Sequence, residues 1–511
     1  MSHLPPAPRT SPSVDLLNLD PVPALLSRVR SELSVDFPPG KPLRLSRAPG
    51  RLDVMGGIAD YTGSLVCEMP LDRAAAVALC ERDDRQVQVF SFNLLDDHRP
   101  FTLRIPLDAI AGCSLEDLKR ELSEPGRRWA GYLVGCLFVL HEQGLVDLKD
   151  PNVRGMNLAL LSNVSLGAGI SSSAAIEVAT MNNLIDHFGI ERVDIQAQSD
   201  NLESKIQNPK SIDPMMLASL CQQVENRVVG APCGIMDQAA SCYGRAGSLM
   251  RLLCQPHEIQ PPLFFPEGIR AVGVNSNVKH SVGGGMYGKT RCAAFMGHKI
   301  ILEKMRQMGG AAGKQLMSDP MNGYLARLDL DDYKKYFRSF VPDKLKGSQF
   351  LLKYGGTVDS ATKVELDVDY HVQQATDHHV FEASRVRKFC AFLEQAGQLD
   401  AADPERKKLL DKAGHLMYAS HVSYTNDALL GAEECDLLVD LVRKNESQGL
   451  YGAKITGGGS GGTVAILCDD SPRATAVIEQ IMTSYEEKTG LKPEAFWGSS
   501  PGAWWGGTVR V

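Results

Sequence analysis

Residues 165–174 (SLGAGISSSA) combine glycines with hydroxyl side chains directly before a helical pattern. Gly167 and Gly169 lack a side chain, so the backbone there can approach a ligand closely. A helix beginning near Ser172 would point its free N–H groups and the positive end of its dipole at this loop. We therefore interpret the segment as a phosphate-binding loop, against the alternative of an ordinary serine-rich helix cap.

Two further glycine-rich motifs accompany this loop elsewhere in the chain. Residues 47–51 (RAPGR) are followed by residues 55–61 (MGGIADY), and residues 457–462 (GGGSGG) follow residues 453–456 (AKIT). A single loop of glycine and serine has little diagnostic value. Three such motifs in one chain are far more specific, and they favour the phosphate-binding interpretation.

In content and order, the three motifs resemble the signature segments of the GHMP kinases, and they are most similar to the galactokinase branch of that superfamily. Further stretches extend the resemblance: residues 224–226 (VEN), 232–238 (PCGIMDQ), 275–281 (NSNVKHS) and 418–421 (YASH). The resemblance covers nearly everything from Arg47 to the C-terminus. It implies an α+β, two-lobed GHMP kinase fold, with a ribosomal S5 domain 2-like N-terminal lobe and a ferredoxin-like C-terminal lobe. The active site would lie in the cleft between the lobes.

The resemblance implies the catalytic residues and the metal ligands. Asp237 matches a catalytic carboxylate, which can accept the proton of an attacking hydroxyl or orient that hydroxyl. Arg51 matches the neighbouring arginine, a fixed cation that would stabilise charge on the transferred phosphoryl group. Glu225, twelve positions before Asp237, matches a glutamate that binds Mg²⁺, and Ser173 is the expected hydroxyl ligand. The alternative for Asp237 is a buried aspartate that caps a helix, and the alternative for Arg51 is a surface salt bridge.

The resemblance also implies where ATP binds. Trp129 and Tyr132 match the aromatic pair that flanks adenine in galactokinase-like enzymes, although aromatic residues three apart on a helix are often simply core. The other expected ATP-binding residues belong to the phosphate-binding loop and the helix after it: Gly167, Gly169, Ser171, Ser172, Ser173 and Ala174.

Sugar-contacting positions are matched by Asp60, Gly234 and Tyr287. The Asp60 carboxylate and the Tyr287 hydroxyl could hydrogen-bond ring hydroxyls. The chain departs from galactokinases at two neighbouring positions, because Gly57 and Ile58 stand where galactokinases carry Glu-His. The polar contact that the glutamate makes with the C6 hydroxymethyl group is then lost. The isoleucine would offer an apolar wall instead.

This departure predicts a pentose substrate. L-Arabinopyranose has the ring configuration of galactopyranose but lacks C6, and residues 54–61, 354–357 (YGGT) and 498–502 (GSSPG) are similar to the kinase part of plant L-arabinokinases. The expected reaction is the ATP-dependent phosphorylation of the anomeric hydroxyl of a free monosaccharide, L-arabinose to L-arabinose 1-phosphate. Galactose, galacturonate and fucose are the alternative substrates. A non-catalytic sugar sensor is disfavoured, because the known sensors are damaged in the Ser-Ser-Ala loop that is intact here.

Two other patterns suggest competing functions. Residues 283–290 (GGGMYGKT) match the P-loop expression GxxxxGK[ST], but residues 275–282 separate them from the preceding predicted strand, which a P-loop leaves directly. His378, His379 and Glu382 have spacing that a metal could use, yet no third ligand is evident for the His378 and Glu382 face. We interpret them as a polar helix face.

The elements that must position these residues follow from hydrophobic patterning. A chain of 511 residues is too long for one core. We predict an N-terminal tail and leader helix (1–40), a kinase N-terminal domain (41–262) and a kinase C-terminal domain (263–511), with a proline-containing linker at 261–268. The patterns predict strands at 65–71, 75–80, 156–161, 269–274 and 462–467, and helices at 16–35, 383–394, 407–420 and 435–444.

Composition limits the partners. With 43% hydrophobic and 23% charged residues the chain is of ordinary globular type, and its net charge of -7 with dispersed Lys and Arg gives no nucleic-acid footprint. Its 12 cysteines form no CxxC pair, which favours reduced thiols. The sequence shows neither the pattern of a signal peptide nor an apolar segment of about 20 residues that could span a membrane. We expect a cytoplasmic protein whose partners are a small sugar and ATP, with no nucleic acid and no membrane.

Overall fold

The computed structural model describes residues 14–193, 211–231, 233–278, 285–311 and 319–511. Residues 1–13 of the predicted tail, residue 232 and residues 279–284 lie outside these ranges, and residues 283 and 284 are the first two of the P-loop-like segment. The strands are β1 (Leu43–Met55), β2 (Leu65–Glu81), β3 (Gln86–Ser91), β4 (Thr102–Pro106), β5 (Met156–Ser162), β6 (Ser248–Leu253), β7 (Glu258–Phe264), β8 (Ile269–Asn275), β9 (Leu345–Lys346), β10 (Asp369–Tyr370), β11 (Leu450–Ile455), β12 (Thr463–Asp469), β13 (Glu494–Phe496) and β14 (Thr508–Arg510).

Helices of very different length connect these strands. They are α1 (Val22–Glu32), α2 (Phe92–Asp96), α3 (Leu107–Gly112), α4 (Leu115–Leu122), α5 (Gly131–Glu142), α6 (Ser172–His187), α7 (Pro214–Gln223), α8 (Met236–Tyr243), α9 (Met286–Ala311), α10 (Leu330–Asp332), α11 (Gly347–Tyr354), α12 (Val372–Gly397), α13 (Pro404–Asn426), α14 (Glu433–Arg443), α15 (Pro472–Thr489) and α16 (Ala503–Gly506). Short turns of tighter or wider helix, such as Gly57–Thr62 and Val224–Val229, carry several of the candidate site residues.

The N-terminal lobe is built on one large mixed sheet. Its strand order is β14-β1-β2-β5-β3-β4, and β6 pairs with both β2 and β7. The sheet is antiparallel except where β3 and β5 pair in parallel. The two short strands expected at 65–71 and 75–80 are one continuous strand, β2, because the exposed Asp72 and partly exposed Arg73 interrupt its burial but not its backbone.

Helix α6 lies on the sheet as its sequence pattern predicts. It begins at Ser172, and Ala174, Val178, Met181 and Ile185 are all fully buried. These side chains form one apolar face, which fixes the helix against β1 and β2. The N-terminal end of α6 is thereby held at a defined place beside the sheet.

Helix α1 belongs to the folded N-terminal lobe, which differs from the expectation that the kinase body begins near Lys41. Leu25 and Val29 are fully buried in a cluster with Leu45 and Ala76 of the sheet. The helix is also shorter than the predicted 16–35, since it spans Val22–Glu32. Its apolar face covers a side of the sheet that would otherwise be exposed to water.

The predicted linker at 261–268 is also corrected by the structure. Strand β7 continues to Phe264 and pairs with β6, so the predicted boundary between residues 262 and 263 falls inside a strand. Prolines are tolerated there because β7 is an edge strand, whose outward positions need no N–H donor. The second sheet begins with β8 at Ile269.

The C-terminal lobe contains a four-stranded antiparallel sheet of order β11-β12-β8-β13. The predicted helices at 383–394, 407–420 and 435–444 correspond to α12, α13 and α14, the first two of which are longer than expected. Val386, Phe389 and Leu393 of α12 are buried within the core of the N-terminal lobe, so the lobes share apolar side chains. Within the described ranges, none of the helices has the length and apolar character needed to cross a membrane.

Candidate active site

Arg51 and Asp237 meet at the junction of the two lobes. Arg51 lies on β1, and its guanidinium donates through Nε to Asp237 Oδ1 at 2.9 Å. Its Nη2 is 2.7 Å from the same oxygen, and its Nη1 donates to the carbonyl oxygen of Gly169 at 2.6 Å. Asp237 lies in the first turn of α8 with 23% of its side chain exposed, whereas the Arg51 side chain is 3% exposed. The carboxylate therefore faces solvent while the cation behind it is fixed.

Glu68 lies behind this pair and was not found from the sequence. Its Oε2 is 3.1 Å from Arg51 Nε, and its side chain is fully buried. Burial and the neighbouring Asp53 carboxylate raise the pKa of Glu68 well above its usual range. The Arg51 guanidinium thus lies between the fully buried Glu68 and the partly exposed Asp237. Burial opposes that charge, yet the surrounding carboxylates, Asp237 first, still raise the pKa of the Arg51 guanidinium.

The predicted phosphate-binding loop lies against Arg51. Gly167 and Gly169 have φ of 74° and 70°, a left-handed conformation that glycine adopts without strain. Ser171 precedes α6 with φ of 61°, and its hydroxyl is buried without a hydrogen-bond partner in the described part of the chain. Thr463, after the third glycine motif, donates to the carbonyl of Ala168 at 2.7 Å. The three motifs are thus packed around the start of α6.

The predicted metal ligands also lie together. Glu225 is in the Val224–Val229 turn, and its carboxylate accepts a hydrogen bond from the Ser173 hydroxyl. Burial raises the pKa of Glu225 to about 7, against the opposing effect of that hydrogen bond. Gln238 donates to Glu225 at 2.8 Å and to the fully buried Glu177 at 3.2 Å. Glu177 and Gln238 were not found from the sequence.

The oxygen pair of Ser173 and Glu225 suits a hard cation such as Mg²⁺. The described residues contain no group of three or more His, Cys, Asp or Glu side chains placed to hold a metal. Two protein oxygens would leave the remaining coordination positions for phosphate oxygens and water, which is how Mg²⁺ is usually bound with nucleotides. The residues present therefore fit the predicted ion.

Three residues predicted to contact the sugar are close to one another. Asp60 lies in the Gly57–Thr62 turn after β1, and its Oδ2 would be 1.4 Å from a Cβ at Gly234, so a side chain at position 234 would displace the Asp60 carboxyl group. Tyr287 lies in the first turn of α9, where its ring packs edge-on to Tyr61 at 6.0 Å. Burial first, and then the charge of Asp60, raise the pKa of the Tyr287 hydroxyl above its usual range.

Gly57 and Ile58 lie in the same turn but contact the C-terminal lobe. A Cβ at Gly57 would be 1.8 Å from the hydroxyl oxygen of Tyr424, on α13. Ile58 is 1% exposed and belongs to an apolar cluster with Val274 and Ile455. The Ile58 side chain is therefore part of the lobe's core, and its contribution to a sugar site stays a prediction.

The expected adenine-binding pair lies at the start of α5. Trp129 lies in the Arg128–Ala130 turn and Tyr132 in the first turn of α5, and both pack against the N-terminal core. Burial and the nearby Glu225 charge raise the pKa of Tyr132 above its usual range. Trp129 Nε1 is buried without a partner in the described residues. Binding of adenine by this pair stays a prediction.

The histidine cluster is not a solvated helix face, which corrects that interpretation. His378 and His379 are fully buried, and burial holds the pKa of each well below its usual range. His378 contacts the Ser423 hydroxyl at 2.9 Å, and His379 contacts the Tyr61 hydroxyl at 2.8 Å. Glu382 pairs with Arg385 at 2.6 Å. The cluster packs α12 against α13 and the Asp60 turn.

Residues 286–290 of the P-loop-like segment belong to helix α9. Thr290, which would be a metal ligand in a P-loop, donates instead to the carbonyl of Ala428 at 2.6 Å and is 5% exposed. Arg291 in the next position pairs with Asp359 through two hydrogen bonds of 3.0 and 2.8 Å. These contacts fix α9 within the C-terminal lobe, and Tyr287 in its first turn packs against Tyr61.

A buried ion pair joins the first and third motifs. Lys454 Nζ is 2.6 Å from Asp53 Oδ2, and both side chains are fully buried. Asp53 also accepts from the backbone N–H of Gly57 at 3.0 Å and of Gly457 at 3.2 Å. Both charged residues lie inside or beside the glycine motifs, so their positions in the sequence could have identified them.

Two family models match this chain. The model described as GHMP kinases N terminal domain matches residues 132–245, and that described as GHMP kinases C terminal matches residues 406–487. An L-arabinokinase of Arabidopsis thaliana is 34% identical over 91% of this chain, which spans 46% of that relative. A galactokinase of Chloroflexus aurantiacus is 29% identical over 88% of this chain and 90% of the relative.

Solved structures show the same fold. Lactococcus lactis galactokinase, crystallised with galactose, aligns with a TM-score of 0.65 at 20% identity, over 95% of this chain and all of that chain (100%). Mevalonate kinase of Methanococcus jannaschii aligns with a TM-score of 0.52 at 13% identity, over 91% and 99% of the two chains. These alignments confirm the predicted two-lobed α+β fold.

The buried Asp60 carboxyl makes stability depend on pH. Burial, with the charge of Asp237, raises the pKa of Asp60 from its usual 3.8 to about 7. The folded state therefore binds the extra proton between these values, so this contribution to stability is lost as the pH rises towards 7. Between pH 5 and pH 8, the parent should lose about 2–3 kcal/mol more of its free energy of unfolding than Asp60→Asn does.

Urea unfolding of both proteins at the two pH values measures this difference. The exposed variant Asp400→Asn is the control and should follow the parent. Equal losses of free energy of unfolding in the parent and in Asp60→Asn would contradict the raised pKa of Asp60.

Proposed function

The chain belongs to the GHMP kinase family, and from this premise we propose that it is an ATP-dependent sugar kinase that phosphorylates the anomeric hydroxyl of a free monosaccharide. The substrate we propose is L-arabinose, and the product is L-arabinose 1-phosphate. The resemblance stated from the three glycine motifs is confirmed at the level of the family. The activity of the whole chain, its substrate and its site residues are our proposals.

One observation carries the proposal. The guanidinium of Arg51 contacts both the carboxylate of Asp237 and the carbonyl of Gly169 in the phosphate-binding loop. A group with an ionisable oxygen and a loop suited to phosphate are thereby held a few ångströms apart. Such a placement supports transfer of a phosphoryl group to a hydroxyl that lies against Asp237.

Asp237 and Arg51 have distinct roles in the proposed reaction. The Asp237 carboxylate accepts a hydrogen bond from the attacking hydroxyl and orients it, and it can accept the proton as the O–P bond forms. The anomeric hydroxyl is a comparatively acidic alcohol, which eases this step. Arg51 stabilises the negative charge on the phosphoryl group during in-line transfer. No covalent phosphoenzyme is needed.

The phosphate-binding loop and the oxygen pair position the nucleotide. Free N–H groups at the start of α6 face the loop, and we propose that the phosphates of ATP bind there, with Gly167, Gly169 and Ser171–Ala174 around them. Ser173 and Glu225 would hold Mg²⁺, which neutralises charge on the phosphates when bound. Trp129 and Tyr132 are the proposed adenine contacts.

The choice of L-arabinose rests on position 57. Asp60 and Tyr287 retain the polar contacts proposed for ring hydroxyls, whereas Gly57 offers no side chain to a C6 hydroxymethyl group. A buried hydroxyl without a partner costs about 1–3 kcal/mol, which a pentose without C6 does not incur. The relative named L-arabinokinase supports the same choice.

Galactose is the second candidate substrate. The galactokinase relatives match this chain over nearly their full length, whereas the plant relative extends well beyond it. Galacturonate and fucose kinases of the same family are further alternatives. A non-catalytic sensor is disfavoured, because the loop serines, Glu225, Asp237 and Arg51 are all present together.

Replacement of Asp237 tests the catalytic assignment. Asp237→Asn keeps the shape of the side chain but removes its charge and basicity, so turnover should fall by at least about a hundredfold. ATP binding, measured by calorimetry, should stay within about threefold of the parent because the loop is unchanged. Asp403→Asn is the matched control, because Asp403 caps the start of α13 and asparagine can make the same capping hydrogen bond. Full activity in Asp237→Asn would refute the assignment.

Substrate competition tests the sugar. The unmodified enzyme should show a kcat/KM for L-arabinose about ten- to a hundredfold above that for D-galactose, because the galactose hydroxymethyl group loses water without gaining a partner. A coupled assay for ADP with each free sugar measures both constants. If galactose were used at least as efficiently, the galactokinase alternative would replace the pentose proposal.

A further inference from the structure

The turn that carries Asp60 is held through its backbone by buried side chains. Consecutive N–H groups at its start each donate to a side-chain oxygen: Gly56 to Glu382 at 3.3 Å, Gly57 to Asp53 at 3.0 Å and Ile58 to Tyr424 at 3.0 Å. Glu382 lies on α12 and Tyr424 on α13. The position of the turn is therefore set largely from the C-terminal lobe.

Tyr424 has both hydrogen-bonding functions of its hydroxyl in use. The oxygen accepts a hydrogen bond from the N–H of Ile58, and the O–H donates one to the carbonyl of Gly457 at 2.9 Å. Its side chain is fully buried, with the ring edge-on to His378 at 5.1 Å and Lys454 Nζ 5.2 Å from its centroid. The hydroxyl thus connects the turn of the first glycine motif to the loop of the third.

Tyr424 also excludes a side chain at position 57. A Cβ at Gly57 would lie 1.8 Å from the Tyr424 hydroxyl oxygen, 2.7 Å from Cζ and 3.0 Å from Cε2. Non-bonded heavy atoms are in favourable contact only near 3.5–4.0 Å, so these distances are severe overlaps. The φ of 38° at Gly57 adds a backbone conformation that other residues rarely adopt. Gly57 and Tyr424 are therefore structurally dependent on each other.

We propose that Tyr424 is a specificity-determining residue of the sugar site. It occupies the space from which a side chain at position 57 would extend, and it holds the turn that positions Asp60. This inference rests on the proposed sugar kinase function. A sugar without a C6 hydroxymethyl group needs no partner from position 57, whereas a hexose would leave that hydroxyl unpaired.

A site that prefers a hexose would then need substitutions at both position 57 and position 424. Gly57→Glu alone places its side chain inside Tyr424, so the substitution should unfold or distort the turn before it can contact a sugar. Tyr424→Ala removes the obstruction and opens the space beside Gly57. Only the double variant combines a free space with a polar side chain that could reach the hydroxymethyl group.

A double-mutant cycle tests this dependence. The parent, Gly57→Glu, Tyr424→Ala and the double variant are compared by the ratio of kcat/KM for D-galactose to that for L-arabinose. Both sugars are measured on one preparation, so the ratio does not depend on the fraction of folded enzyme. The double variant should raise the ratio about tenfold over Tyr424→Ala. An unchanged ratio in an active double variant would overturn the specificity role.

Tyr424→Phe keeps the test decisive if the double variant fails to fold. The phenyl ring still fills the space at position 57, but both hydrogen bonds of the hydroxyl are lost. The KM for L-arabinose should rise about five- to tenfold, while the KM for ATP stays within about twofold. Tyr418→Phe, another buried tyrosine on α13, should change neither constant. An unchanged sugar KM in Tyr424→Phe, or equal rises of both constants, would overturn the positioning role.

Thermal unfolding separates this inference from the proposed function. Gly57→Ala should lower the Tm strongly in the parent and much less in the Tyr424→Ala background, whichever sugar the enzyme uses. Additive changes in Tm would refute the dependence of Gly57 on Tyr424. If the cycle in Tm behaves as expected but the parent phosphorylates neither sugar, the proposed function fails and the packing relationship stands.

Discussion

The buried guanidinium of Arg51 is the interaction on which the candidate site depends. It contacts a carboxylate on α8, a carbonyl in the phosphate-binding loop and a buried glutamate on β2. A cation removed from water is stable only when such partners surround it, so its burial requires these three segments to be in place together. Of its two carboxyl partners, Glu68 is fully buried and Asp237 is partly exposed. The fold thereby places a fixed positive charge behind a solvent-facing carboxylate.

A second buried ion pair joins β1 of the N-terminal lobe to β11 of the C-terminal lobe. Lys454 and Asp53 are fully buried, and Asp53 also binds backbone N–H groups from the first and third motifs. Loss of one partner of such a pair costs about 3–5 kcal/mol, because the other charge is left without compensation. Together with Tyr424, this pair keeps the Asp60 turn against the C-terminal lobe. The Asp60 turn and the predicted phosphate-binding loop are therefore both held by buried polar side chains.

Local sequence patterns predicted the elements whose signal lies within a short stretch. The start of α6 at Ser172 and its apolar face follow from residue spacing, and the resemblance of the motifs led to Asp237 beside Arg51. Glu68 and Tyr424 were missed because their contacts join residues far apart in the chain, and neither lies in a recognisable motif. The histidines of α12 have the spacing of a polar face, yet tertiary packing buries them against Tyr61 and Ser423. Likewise, only the pairing of β6 with β7 shows that residues 261–264 form an edge strand.

The central claim is that the site transfers a phosphoryl group from ATP to the anomeric oxygen of a free pentose. Phosphorus NMR of the product made from ATP and L-arabinose tests it most directly, because coupling to the anomeric proton identifies the phosphorylated oxygen. The account predicts one sugar phosphate, with phosphorus coupled to the proton on C1, formed in equal amount to ADP. Phosphate on another hydroxyl, or inorganic phosphate released with no sugar product, would contradict it.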